Sequence, residues 1–597
     1  MSRWEITQVK RKIMSTDFEN HSDDLELTGE KVSGLIKYSV KEGILKIGKL
    51  LFYPEYRLQP DNTHASFKIS DESPSVELTD SEKFISVEID GTLTFETVSG
   101  NLEITRKFYP STELPIFYED VIIKNKGKTS EKIKVNSGRL KTTLTCQGYV
   151  YTERLCDNAP LCVECGETVK VTFSYVTYYA DAAIPEEEDA LRKRYDRVDE
   201  LLRLCDLTTG NDAIDTMFAF SKIHVAENLF RTQKGLINSP GGFNFYWAIW
   251  CNDQCEYATP WFALSGDKKS MEAAKTALRW YKPYMTDELL PLPSSIISGG
   301  TDYWNGVGDR GDAEMYLFGN SKYFLETGET PSEEELFCLD WCARYTVKMI
   351  NENDVVVSDT DELENRLPSG INLSTSCIAY GALKYYSSLL KRLNKDKESE
   401  RYLKYARVIE NGIEEYFGAN IHGYDTYAYY RGCDVIRSWD CLPAYMKIFN
   451  RKDDSLKAVS DLLWMGGSCL SVEKENIVWD RSAIFFMTAL FRAGKEEEAF
   501  SKLVDFSETR LLGERVPYAV EAYPENDMRQ ISAESALYCR IITDGLLDID
   551  YDEKGFSITP HLPEGIKFLS LKNVYLNGSL KNITVNEGSV TVEETID

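Results

Sequence analysis

Between residues 208 and 548 apolar side chains recur with helical period in roughly twelve segments, and the segments fall into pairs. The pairs are 212–230 with 253–264, 269–284 with 313–325, 333–350 with 374–393, 398–417 with 440–449, 454–464 with 481–493, and 496–511 with 532–545. Their connections alternate in character. Those entering the first helix of a pair are short, as in Ser265-Gly-Asp267 and Ala493-Gly494. Those entering the second are long and carry Trp, Tyr, Gly and acids. Such a chain has few ways to bury its apolar faces. With the second helices as an inner ring and the first as an outer ring, it closes into an all-α (α/α)6 toroid, and the long connections gather at one end.

The flanks read as β structure. In residues 1–183, the stretch 84–89 alternates apolar and polar, Asp90-Gly91 marks a turn, and 93–95 resumes the alternation. Repeated short strands without helical period predict an N-terminal antiparallel β-sandwich. Residues 184–207 form a linker helix, with Glu186 to Asp189 placed as its acidic first turn. Residues 549–597 return to short strands, a small C-terminal β domain packing on the barrel or the sandwich. The expected fold is multidomain, with the helical region at 208–548.

Composition narrows the partners. A chain of 597 residues exceeds one ordinary core. A net charge of −28 repels nucleic acid and anionic membranes, so neither is expected as a partner. No apolar run is long enough to span a bilayer, and the first residues lack the apolar core of a signal peptide. A cytoplasmic location is expected, with the fourteen cysteines as reduced thiols. Cys162-Val-Glu-Cys165 has no second pair and no nearby His, and the five histidines are scattered. No metal or organic cofactor is implied. A homo-oligomer is left open. Aromatic residues make up 12%, more than a core alone requires, and suit surfaces that stack on sugar rings.

The long connections hold the candidate residues. In the last of them, Glu521 sits in a loop rich in Tyr, Pro and acid, ahead of a helix expected to start at an N-cap Ser532 and stop at Asp544-Gly545. A carboxylate there reaches a ligand while the helix holds it still. The others offer Phe243 to Trp250 with Asp253 and Glu256 following, Trp304 with Asp309 and Arg310, the acids of 359–364, and Trp479-Asp480-Arg481. Trp faces stack on sugars, and Asp or Arg fix hydroxyls by charge-assisted hydrogen bonds. Taken singly, Asp480 or Asp440 after a Trp also reads as a helix N-cap.

The loop alternation, with Trp250-Cys-Asn-Asp-Gln-Cys-Glu-Tyr257, the acidic run Asp359 to Pro368, Glu521-Ala-Tyr523, and Ser532-Ala-Glu-Ser-Ala-Leu-Tyr538 followed by Pro560-His-Leu-Pro563, resembles the six-hairpin glycosidase superfamily. That superfamily includes trehalases, rhamnosidases, debranching-type enzymes and inverting disaccharide phosphorylases. The resemblance covers nearly the whole chain and implies glycoside hydrolysis of a carbohydrate substrate by two carboxyls, one donating a proton and one activating water. It implies Glu521 as general base. For the general acid it implies Asp361, with Asp359, Glu362 and Glu364 as rivals, or Asp253 if the arrangement is rhamnosidase-like. Here Ser358 and Thr360 stand where relatives carry a Trp near the acid. The substrate-binding set is Trp250, Glu256, Trp304, Asp309, Arg310, Trp479 and Asp480. A phosphorylase, a non-catalytic carbohydrate-binding protein and a polysaccharide lyase remain alternatives.

Overall fold

Strand residues that alternate in burial build the first part of the chain. Leu102–Pro110 buries every second side chain over most of its length, the pattern of a strand with one face on a core. The computed structural model describes residues 3–53, 67–71, 74–136, 149–155, 162–179, 181–232, 234–241, 248–297, 303–362, 370–513, 516–523 and 531–595. These divide into two units. One holds Met1–Leu202 with Glu227–Gln233 and Arg510–Pro517; the other holds Arg203–Ala226, Lys234–Thr509 and Tyr518–Asp597.

The first unit is an antiparallel sheet of twelve strands among the described residues. Lys83–Ile89 and Leu93–Ser99 pair across the Asp90-Gly91 turn, as the alternation predicts. The linker helix is present but starts at Ala190, so Glu186 to Asp189 precede it and do not form its first turn. The sheet buries a charged knot. Lys49 Nζ donates to Glu119 Oε2 (2.9 Å), Ser75 Oγ (2.8 Å) and Tyr175 OH (2.8 Å), and Arg106 Nη1 donates to Glu119 Oε1 (3.1 Å).

The second unit is helical, ending in strands. The predicted helices appear at Asp212–Glu227, Lys268–Trp280, Asp312–Thr327, Glu333–Lys348, Leu373–Arg392, Asp396–Gly412, Lys452–Leu462, Asp480–Arg492, Glu496–Leu511 and Ala533–Arg540. Helices placed second in each pair are buried almost all round; Asp312–Thr327 buries every residue. Helices placed first, such as Lys268–Trp280 and Asp396–Gly412, bury one stripe. Asp212–Glu227 departs from this, being buried along nearly its whole length. The buried helices pack in chain order. Thr259–Ser265 lies on Asp312–Thr327, which lies on Leu373–Arg392, then Leu442–Tyr445, Asp480–Arg492 and Ala533–Arg540. The last packs back on Asn252–Ala258, which leads into the first.

Local details differ from the sequence reading. Ser532 stands before Ala533–Arg540 but makes no capping bond, because its backbone is helical and not extended. Past Arg540 the helix continues as a wider π turn, Ile541–Leu546, and ends one residue after the Asp544-Gly545 stop. The C-terminal strands Phe568–Leu576, Ser579–Asn586 and Ser589–Glu594 join Asp206–Thr208 in a four-stranded sheet. Among the described residues no helix is long and apolar enough to cross a membrane, and none of their cysteines forms a disulfide.

Candidate functional site

The site is built around Arg481, the second residue of the helix Asp480–Arg492. A cation in the first helical turn opposes the helix dipole, so its burial there needs compensating acids. Asp253 comes from the turn Asn252–Ala258, Glu521 from the connection before Ala533–Arg540, and Glu534 from that helix itself. Arg481 Nη2 lies 2.6 Å from Glu534 Oε1, 3.6 Å from Asp253 Oδ1 and 3.9 Å from Glu521 Oε1. Its guanidinium also sits over the rings of Trp479 (5.1 Å) and Tyr257 (5.3 Å). Burial opposes its charge, but Glu534, Asp253, Glu521 and Glu362 outweigh that and push its pKa up.

Local pairing puts Glu521 there. Val478–Trp479 pairs with Ala522–Tyr523, the Asp480 amide donates to the Glu521 carbonyl (3.2 Å), and Asp480 Oδ2 accepts the Val520 amide (2.9 Å). Asp480 is thus the tie that places Glu521, in place of the helix cap expected of it. The Glu521 side chain is 16% exposed, more open than its neighbours.

Glu256 and Asp253 lie on one wide turn, Asn252–Ala258, and both are buried. Glu362, from the connection before Leu373–Arg392, is buried as well. Burial pushes the Glu362 carboxyl up to about 7, with Arg481 pulling it down and Asp253 pushing it further up. Burial and the nearby Glu362 raise Glu256 well above the usual carboxyl range. Glu362 Oε2 and Glu256 Oε2 accept no hydrogen bond among the described residues.

The other sequence candidates fall at varied places. Asp361 is buried beside Glu362, and its Oδ2 accepts the Tyr429 hydroxyl at 2.6 Å. Asp309 accepts from Tyr345 (2.6 Å) and the Gly311 amide (2.9 Å), holding the turn before Asp312–Thr327; burial raises its carboxyl to about 6. Arg310 donates to Asn252 (3.2 Å) and Asp312 (3.0 Å). Trp250 and Trp304 lie either side of Ser295 in a three-stranded sheet, ring centroids 5.4 Å apart. Phe243 to Trp247 and Glu364 lie outside the described residues.

The sequence offers Arg481 only as part of a sugar-binding wall with Trp479 and Asp480, and Glu534 only as a member of the last helix; neither is placed with the catalytic acids. The signal for Arg481 was a cation in the first turn of an otherwise apolar helix, and for Glu534 a buried acid in a helix of small residues. A further buried group includes Ser535, next to Glu534 in the chain: His224 Nδ1 is 2.9 Å from Ser535 Oγ, and the imidazole stacks on Tyr518 at 3.8 Å.

No family model matches the chain, and no curated protein matches it. Solved structures do. A putative kojibiose phosphorylase from the human microbiome matches with a TM-score of 0.61 at 10% identity, covering 100% of this chain and 96% of its own. A bacterial glucoamylase bound to acarbose matches at 0.52 and 10% identity, covering 89% and 97%. A protein named sialidase matches at 0.52 and 10% identity, covering 98% of this chain and 58% of its own. At this identity the likeness is one of fold. The chain shares the fold of six-hairpin glycosidase-type enzymes.

Proposed function

We propose that the protein is an inverting glycoside hydrolase that acts on a small neutral oligosaccharide or glycoside. The observation that carries this is the meeting of acids from three long connections, Asp253, Glu362 and Glu521, around one guanidinium. The contact order of the buried helices supports a six-hairpin toroid with that cluster at one end. The two Arg481 distances cap the Asp253–Glu521 oxygen separation at about 7.5 Å, a bound that admits both the roughly 5–5.5 Å of retaining pairs and the lower part of the roughly 6.5–9.5 Å of inverting pairs, so the product anomer decides between them.

In this reading Glu521, the more open carboxyl, takes a proton from water, and Arg481 holds it in place. Glu362 takes the acid role ahead of Asp361. Its raised pKa keeps a proton to give to the glycosidic oxygen, whereas Asp361 already binds Tyr429. Asp253 is the rival acid, or else fixes a sugar hydroxyl. Trp250 and Trp304 supply an aromatic wall.

The test is turnover of aryl glycosides and disaccharides, with product anomers followed by NMR. Glu521→Gln and Glu362→Gln should each lower kcat by about 10²-fold or more. Wild-type rates in Glu521→Gln, or a product that keeps the substrate's anomeric form, would sink the reading.

A second reading is a phosphorylase. Ser532 Oγ is buried and accepts or donates no hydrogen bond among the described residues, and Ser535 and His224 lie one helical turn on. Such hydroxyl and imidazole groups suit phosphate in place of water. The similar structure of highest TM-score given above is named as a phosphorylase. Turnover that requires added inorganic phosphate decides for it.

A further inference from the structure

Asp253 and Glu256 share a turn whose width has an identifiable cause. The Thr259 amide bonds to the Gln254 carbonyl, five residues back, so the turn is π and not α. The next residue is Pro260, near the start of Thr259–Ser265. A proline inside a helix has no N–H to donate, and its ring strikes the carbonyl four residues earlier. Here that carbonyl belongs to Glu256. One extra residue in the turn relieves the clash, and Pro260 has no N–H to give the Glu256 carbonyl.

Arg540 supplies the donor. Its Nη1 lies 2.6 Å from the Glu256 carbonyl oxygen. Nε and Nη2 bind Asp544 Oδ2 at 3.0 and 2.8 Å, Nη2 also reaches Tyr445 OH at 2.9 Å, and Asp544 is held by Lys322 Nζ at 2.5 Å. The guanidinium is therefore fixed on one side and offers a fork on the other. The neighbouring Cys255 carbonyl is seated on Gly319, where a Cβ would stand 1.5 Å from its oxygen. Lys322 and Gly319 belong to the same buried helix, Asp312–Thr327.

We infer that Pro260 and Arg540 together set this turn and thereby aim Asp253 and Glu256 into the carboxyl cluster, which makes Arg540 a positioning residue of the proposed site. A residue added to a helical turn swings the side chains before it by roughly 100°. With an α turn in its place, the two carboxyls would face elsewhere. The part of this that concerns catalysis rests on the hydrolase reading; the part that concerns the turn does not.

The structural test is a crystal structure of Pro260→Ala. Alanine restores the missing N–H and removes the ring. The expected result is an α turn in which the restored N–H bonds to the Glu256 carbonyl and Arg540 is released from it. An unchanged π turn with Arg540 still bound to Glu256 overturns the inference. The functional test is Arg540→Lys in the full chain. Lysine keeps a cation on Asp544 but cannot fork to both partners. Its unfolding midpoint should stay near wild type while kcat falls by about 10²-fold, the usual cost of a misplacement of about 1 Å, with KM moving less. Wild-type kcat in Arg540→Lys overturns the positioning role, as does a kcat loss that only follows a loss of folded protein. A wild-type protein inert toward every glycoside, with and without phosphate, overturns the hydrolase reading instead, and the Pro260→Ala structure then judges the turn alone.

Discussion

Arg481 faces more carboxyl groups than one guanidinium can neutralise. Asp253, Glu521 and Glu534 lie within 3.9 Å of it, and Glu362 adds to its field. Buried acids in such excess retain protons, because a second uncompensated anion costs more than a neutral carboxyl. Glu362, at about 7, and Glu534, at about 8, are the groups poised to do so near neutral pH, and of the two only Glu534 is bonded to Arg481 among the described residues. If Glu362 is the acid, it works only when protonated, so kcat/KM should fall as pH rises through about 7. A pH–rate profile of Glu362→Gln that keeps the same alkaline limb would place the acid elsewhere. In the first unit Glu119 shows the opposite case. Burial works against its charge, but Lys49 and Arg106 prevail and hold it at about 2, below the ordinary 4.5. Its folded-state pKa is lowered, so it stabilises the fold above about pH 4.5 and that contribution fades as pH falls toward 2. Glu119→Gln leaves the buried Lys49 without its carboxylate, while Arg106 keeps Glu82 (3.0 Å), and should cost about 3–5 kcal/mol at pH 7. Urea unfolding should show the variant and wild type converging as the pH is lowered.

At the scale of elements, two helices carry the site and a third holds it. Asp312–Thr327 buries all its residues, so its contacts are fixed by shape and not by a polar face. Gly319 is where it meets the wide turn Asn252–Ala258, and an added Cβ would collide with backbone carbonyl atoms of Cys255 at 1.5 and 2.6 Å. Backbone cannot rotate aside as a side chain does. Gly319→Ala should therefore cost at least the 1–3 kcal/mol or so usual for overpacking, read as a lowered urea midpoint. An unchanged midpoint would mean that the turn yields easily, and that it is not held as described. These helices were legible from apolar period alone, and residues 333–350 of the sequence reading became Glu333–Lys348 with a capping box between Ser332 and Glu335. The π turns were not legible. Among the described residues one lies where Pro260 meets a carbonyl, one where Asp396–Gly412 continues into Ile413–Phe417, and one where Ala533–Arg540 continues into Ile541–Leu546.

For the whole molecule, the C-terminal strands belong with the helical unit. Leu569, Leu571, Val574, Leu576, Ile583 and Val585 are all buried, and Asp550 pairs with Lys447 at 2.9 Å. Deleting residues 567–597 would remove those side chains and bare the apolar surface they cover, each having contributed about 1.5–3 kcal/mol when buried. The truncated chain should be insoluble or unfolded, which a soluble-fraction assay and circular dichroism check; a stable, active truncation would contradict it. The sequence by itself determined the helices, the strands, the acidic surface and the rich connections, because period, turn chemistry and charge are local properties of a chain. It also singled out Glu521 and Asp253. Only the tertiary structure decided which acids share Arg481, that Glu362 sits there beside an Asp361 bound to Tyr429, and that Arg540 bonds to the backbone of Glu256. Those relations join residues far apart in the chain, and they follow from the order in which buried helices pack, for which no short stretch of sequence carries a signal.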